Sequence, residues 1–302
     1  MRRRTLVLAS FIVGGLLAGP IAPGAATPDK LKVVATMTIL GDMVEQVADG
    51  HVELTTLVGP DGDVHVFEPT PADAKALSEA DLVVVNGLDL EGWMDRLIEA
   101  SGYRGPVVVA SEGVKPREME EEGTTVPDPH AWQDLKNGHL YVANITAALA
   151  AADPSNAAAY RQAAERYLAE IDALDAKVRE QIAEVPEERR KVVTSHDAFG
   201  YFGAAYGIQF VAPEGVSEDA EPSAADMKRL IDQIRREHIK LLFFENALSP
   251  RLVQQIGNEA GATVAGTLYA DALSKPGGPA DSYLKMFEHN VPLLRSAMLV
   301  QG

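Results

Sequence analysis

The chain has 302 residues, no cysteine, and 44 acidic against 27 basic side chains, for a net charge of −17. These numbers exclude a disulfide-stapled module and any cysteine-based metal or redox site. The acidic balance argues against nucleic acid or anionic lipid as a partner.

The first 26 residues read as a leader rather than as fold. MRRR is a basic n-region, TLVLASFIVGGLLAG an apolar h-region, and PIAPGAA supplies small residues for cleavage after Ala26. The apolar stretch is too short and wrongly flanked for a membrane span. Arg3-Arg4 before Thr5-Leu6-Val7 also resembles a twin-arginine signal. Either route exports the chain, and without disulfides or a lipid-accepting cysteine the expected location is the periplasm.

From Leu31 onward strand and helix alternate. LKVVATM reads as a strand, ILGDMVEQVADG as a helix ended by Gly50, and VELTTLVG as a second strand. TPADAKALSEA follows as a helix with Thr70 at the N-cap and Pro71 at its first position. DLVVVNG is a buried strand, EGWMDRLIEASG a helix closed by Gly102, and GPVVVA another strand. Near-continuous Val/Leu runs separated by helices imply parallel strands covered on both faces.

The stretch SEGVKPREMEEEGTTVPDPHAWQD reads as an acidic, solvated loop, and LKNGHLYVANITAALAAAD as a helix. Residues 154–185 are rich in Ala, Glu, Arg and Leu and free of internal Gly and Pro, with Asp153 or Ser155 placed to cap a helix. Such a helix would span about 45 Å at roughly 1.5 Å per residue, enough to connect two lobes. After Pro186 the alternation restarts: RKVVTS, IQFVAPEG, KLLFFEN and TVAGTLY as strands; HDAFGYFGAAYG, SAADMKRLIDQIRREH, SPRLVQQIGNEAG and SYLKMFEHNVPLLRSAM as helices. The expected fold is α/β. A leader (1–26) precedes two lobes (27–153 and 186–302), each built on a mainly parallel four-stranded sheet and joined by a long rigid helix (154–185).

Three of the seven histidines fall beyond the carboxyl ends of strands. His65 follows VELTTLVG, His130 sits in VPDPHAWQD, and His196 follows KVVTS; Asp271 follows TVAGTLY. In open parallel sheets such positions converge on the ligand crevice. His196 alone fits a catalytic base, a metal ligand or a polar strand end. Three imidazoles and a carboxylate together suit a borderline cation such as Zn²⁺ in tetrahedral geometry. Their wide separation in sequence excludes a finger or knuckle. His51, His139, His238 and His289 read as surface residues.

The local motifs sharpen this. GPDGDVHVFEPTPADAKALSEADLVVVNGLDLEGWMDRLIEASG, DPHAWQDLKNG, VTSHDAFGYFGAAYG, EPSAADMKRLIDQI, FFENALSPRL and LYADALSKPGGPADSYLKMFEHN occur in this order along the chain. The whole set resembles the zinc- and manganese-binding solute receptors of bacterial ABC importers, in their zinc-binding branch. That resemblance implies a binding protein rather than an enzyme, with His65, His130, His196 and Asp271 as ligands of Zn(II) carried as cargo. It also implies delivery to an ABC membrane permease, with a periplasmic metallochaperone as a further candidate partner, and a monomeric state. The third ligand position separates the branches: manganese and iron receptors usually carry Glu there, zinc receptors His, as hard and borderline cations prefer.

Many zinc receptors have a histidine-rich loop before the second ligand. Here Glu118, Glu120, Glu121 and Glu122 stand in that loop and no histidine does. Glu68, Asp134 and Glu245 are candidates for orienting the ligands. Trp132 and Phe67 are candidates for a dry wall, and Asp197 is expected to point elsewhere. The rival readings are a manganese or iron receptor of the same family and a secreted zinc hydrolase with Glu68 or Glu245 as base. Against the hydrolase, the chain holds no HExxH and no G-x-S-x-G.

Overall fold

Strand β1 (Leu31–Met37) occupies the middle of the first sheet, and its last five residues are buried on both faces. The computed structural model describes residues 30–121, 124–211, 223–237, 239–246 and 250–300. The leader with its expected cleavage site, Glu122 and His238 lie outside them. β2 (Val52–Val58), β3 (Leu82–Val85) and β4 (Val107–Val109) complete a parallel sheet in the order β2-β1-β3-β4. Helices α1 (Thr38–Ala48), α2 (Pro71–Ser78) and α3 (Met94–Ser101) follow the first three strands, as the apolar runs predict. Thr70 caps α2 through a reciprocal capping box with Asp73, with Pro71 next in line.

α3 starts three residues later than the sequence suggests. The Glu91 carboxylate accepts from the backbone N–H groups of Asn86 and Gly87 and from the Thr36 hydroxyl, fixing a turn before the helix. Burial pushes the Glu91 carboxyl upward, against these hydrogen bonds.

The acidic stretch differs from expectation. Instead of an open loop it holds an antiparallel hairpin, β5 (Glu118–Glu121) with β6 (Thr124–Pro127), in which Met119 pairs with Val126. Met119 is buried while Glu118 faces solvent, so one apolar side chain anchors a strand whose charges hide the pattern. A 3-10 turn (Ala131–Gln133) then leads into α4 (Leu135–Ala152), capped by the Asp134 carboxylate on the Lys136 N–H.

Helix α5 (Ala157–Ala183) is 27 residues long, about 40 Å at 1.5 Å per residue. It packs on α1 and α4 of the first half and on α6 (Gly200–Tyr206) and α9 (Tyr283–Val300) of the second. Its start is displaced past Asp153 and Ser155 because Asp153 gathers Ser155, Asn156 and Tyr160 into a local cluster. Asp42 of α1 accepts from the Tyr283 N–H and the Tyr167 hydroxyl, so one carboxylate joins α1, α5 and α9.

The second sheet is built from β7 (Lys191–Val193), β8 (Gln209–Val211), β9 (Leu241–Glu245) and β10 (Thr263–Leu268). Its order is β10-β9-β7-β8 and all its pairings are parallel. Helices α7 (Ala224–Arg236) and α8 (Pro250–Ala260) pack on one another beside it. The fold is therefore the expected one: two parallel four-stranded sheets flanked by helices and bridged by a long helix. No helix among the described residues is long and apolar enough to cross a membrane.

Candidate metal centre

Each half of the chain contributes two of the four side chains, from segments that follow β2, β6, β7 and β10. The loop after β2 carries His65, whose backbone N–H is accepted by Asp63 Oδ1 at 2.9 Å; the Trp93 indole N–H holds the adjacent Val64 carbonyl. His130 repeats this local design. Asp128 Oδ1 accepts its backbone N–H at 3.0 Å and also lies 2.9 Å from its ring Nδ1. Asn86 at the end of β3 donates to the Pro129 carbonyl and accepts from the Tyr141 hydroxyl, so the segment before His130 is held from below.

His196 does not open a helix, as the sequence suggests, but sits in a bend between β7 and α6. The Thr194 hydroxyl donates to the His196 carbonyl, and Ser195 Oγ accepts the Glu245 N–H. The Thr194 bond, to a carbonyl two residues on, is of the local kind that competes with helix formation. Asp271 follows β10 in a segment clasped by residues of the first half of the chain. The Ala270 carbonyl accepts both the Trp132 indole N–H (2.9 Å) and the Gln133 amide (3.0 Å). Leu273 donates to Thr38 Oγ1, and its carbonyl accepts the Asp61 N–H.

One metal-ligating atom from each of His65, His130, His196 and Asp271 lies within 4.8 Å of the others. From the Asp271 carboxylate oxygens, Nε2 of His196 is 2.9 Å away and Nε2 of His65 and of His130 are each 3.7 Å away. A tetrahedral ion with bonds of about 2.0–2.2 Å separates its ligand atoms by about 3.4 Å, inside this range. Nε2 of His65 and of His196 and Oδ1 of Asp271 are buried outside hydrogen-bond geometry, which is costly unless a cation completes them. Burial opposes a charge on His196, but Asp271 and Glu245 outweigh it and hold the imidazole well above its ordinary range. Burial likewise disfavours the Asp271 anion, yet His196 and His130 bring its carboxyl well below the usual value.

Among the residues expected to support the site, Trp132 is fully buried with its ring 5.4 Å from that of His130. Phe67 packs instead on Trp93. Glu245 Oε2 lies 3.2 Å from Nδ1 of His196. Asp134 only caps α4, and Glu68 is exposed at the rim of a cleft beside His65. Asp197 faces a separate cleft with Arg117 and Glu188. His51 is exposed; His139 pairs with Asp172, and His289 reaches the Thr267 carbonyl. Asp128 is the supporting residue that sequence reasoning passed over. Its signal was the D-x-H spacing shared by Asp63/His65 and Asp128/His130.

The family described as zinc-uptake complex component A, periplasmic, matches residues 33–297. The chain is 34% identical over 268 residues to the manganese-binding lipoprotein MntA of Halalkalibacterium halodurans, covering 89% of this chain and 88% of the relative. To the manganese ABC transporter substrate-binding lipoprotein PsaA of Streptococcus mitis it is 32% identical over 276 residues, covering 88% and 89%. The periplasmic zinc binding protein TroA from Treponema pallidum superposes with a TM-score of 0.82 at 32% identity, covering 89% of this chain and 99% of that one. By this sequence and fold similarity, the chain belongs to the zinc-uptake component A family, extracytoplasmic metal-binding receptors of ABC importers and not enzymes.

Proposed function

We propose that the protein is a periplasmic zinc receptor that holds Zn(II) through His65, His130, His196 and Asp271 and hands it to an ABC import permease. The observation that carries this reading is the donor set: three imidazole nitrogens and one carboxylate converging at the seam of two lobes, with His130 buried and the other three half-buried. Nitrogen-rich tetrahedral sites suit zinc, whereas Mn²⁺ favours a site richer in oxygen. The set contains no position reserved for water, so it fits tight capture rather than activation of a nucleophile. In this reading the leader is removed near Ala26. The lobes 27–153 and 186–302 close on the ion as a monomer, with segment 154–185 as the strut between them. A periplasmic metallochaperone is a further candidate source of the ion.

Manganese is the second reading, favoured by the names of the relatives MntA and PsaA. The two separate on one experiment: metal analysis of the protein as purified, followed by zinc and manganese titration of the wild type and of His196→Ala. Zinc in the isolated protein, with affinity lost in the variant, is the expected result. Manganese in the isolated protein, or unchanged zinc affinity in His196→Ala, overturns the zinc assignment.

A further inference from the structure

Glu245 is the last residue of β9 and is 5% exposed. Val193 of β7 pairs with Leu242 of β9 in parallel, so three residues further on His196 and Glu245 come abreast. The backbone ties them a second time, because the Glu245 N–H donates to Ser195 Oγ at 3.1 Å. One carboxylate oxygen, Oε2, lies 3.2 Å from Nδ1 of His196. The other, Oε1, is buried with no hydrogen-bond partner among the described residues. A buried carboxylate left half satisfied is costly, and in a fold made only for stability a neutral or apolar side chain would serve better.

We infer that Glu245 is a positioning and affinity-setting residue for metal capture, acting through His196. Accepting the Nδ1–H fixes the imidazole in the tautomer whose Nε2 lone pair faces the cargo, and fixes its plane. A carboxylate on the far nitrogen also makes the imidazole a stronger donor. With Asp271 it adds a second negative charge on the side of the site formed by the second sheet, favouring a divalent over a monovalent cation. His196 has the most exposed side chain of the four, at 20%, against 0–13% for the others, so it is the ligand that most needs holding. The inference rests on the proposed metal site, and the experiment separates the two.

The test compares wild type, Glu245→Gln, Glu245→Ala and His65→Ala by zinc titration against a competing chelator and by the visible absorption of the cobalt(II)-loaded proteins. Apo-protein thermal unfolding serves as the folding control. Loss of the orienting group should weaken zinc binding on the order of 10–100-fold in Glu245→Ala, with a cobalt spectrum altered from the tetrahedral wild-type form. Glu245→Gln keeps the size and the acceptor oxygen but not the charge. It should retain the wild-type cobalt spectrum, with a smaller loss of zinc affinity. Wild-type affinity and spectrum in both Glu245 variants would overturn the role of Glu245 while His65→Ala still abolishes binding. Should Glu245→Ala not fold, wild-type zinc affinity in Glu245→Gln would overturn the affinity-setting role by itself. Unchanged binding in His65→Ala would instead overturn the metal site on which the role depends.

Discussion

At the scale of single residues, the same device positions two of the four converging side chains. Asp63 and Asp128 each turn back to accept the N–H of the histidine two places on, and Asp128 also takes the His130 ring nitrogen. Asp128 is buried, and the nearby Arg117 side chain lies 4.0 Å from its other oxygen. Asp128→Ala should therefore loosen both the backbone and the ring of His130 and weaken zinc binding on the order of 10–100-fold. Asp63→Ala, which loses only the backbone contact, should cost less. Chelator-competition titration of the two variants checks the order; equal losses would show that the ring contact contributes nothing. The histidines and Asp271 were legible as strand-end polar residues, and the motif resemblance joined them into one set. The partners of those histidines were less legible. Glu245 was one acid among three candidates, and only the register of β7 against β9 sets it beside His196 while leaving Glu68 and Asp134 elsewhere.

At the scale of elements, strands and helices followed from the apolar runs wherever those runs were unbroken. The delayed helix starts share one feature: a polar side chain that bonds its sequence neighbours just before the helix. Glu91 delays α3, Thr194 delays α6, and Asp153 delays α5. The hairpin β5–β6 escaped notice because a single buried methionine offsets a row of glutamates. Asp153 also gives a pH test. Hydrogen bonds from Ser155, Asn156 and Tyr160 lower its carboxyl to about 2. Since the folded value is depressed, its contribution is complete above about 3.9, the unfolded value, and is lost as pH falls through about 2. Wild type should thus unfold at a higher temperature than Asp153→Ala near neutral pH, with the gap shrinking toward pH 2. Thermal unfolding of both proteins across that range decides; a gap independent of pH would assign the effect to packing.

At the scale of the whole molecule, α5 rests on helices of both halves, and Asp42 fastens α1 to α9 and α5. A strut held at both ends opposes a wide hinge. We therefore expect metal binding to be accompanied by a small tilt, with little change in the radius of gyration by solution X-ray scattering on adding zinc. A large compaction would show that the strut bends.

The clasp on the Ala270 carbonyl has a consequence for anyone recombining this fold. Asp271 is encoded with the second half of the chain, but its loop is sewn to Trp132, Gln133, Asp61 and Thr38 of the first. A chimera spliced at Pro186 from two relatives would inherit one half of each stitch. The exchangeable unit is thus not the C-terminal half alone but that half together with the four residues that grip it.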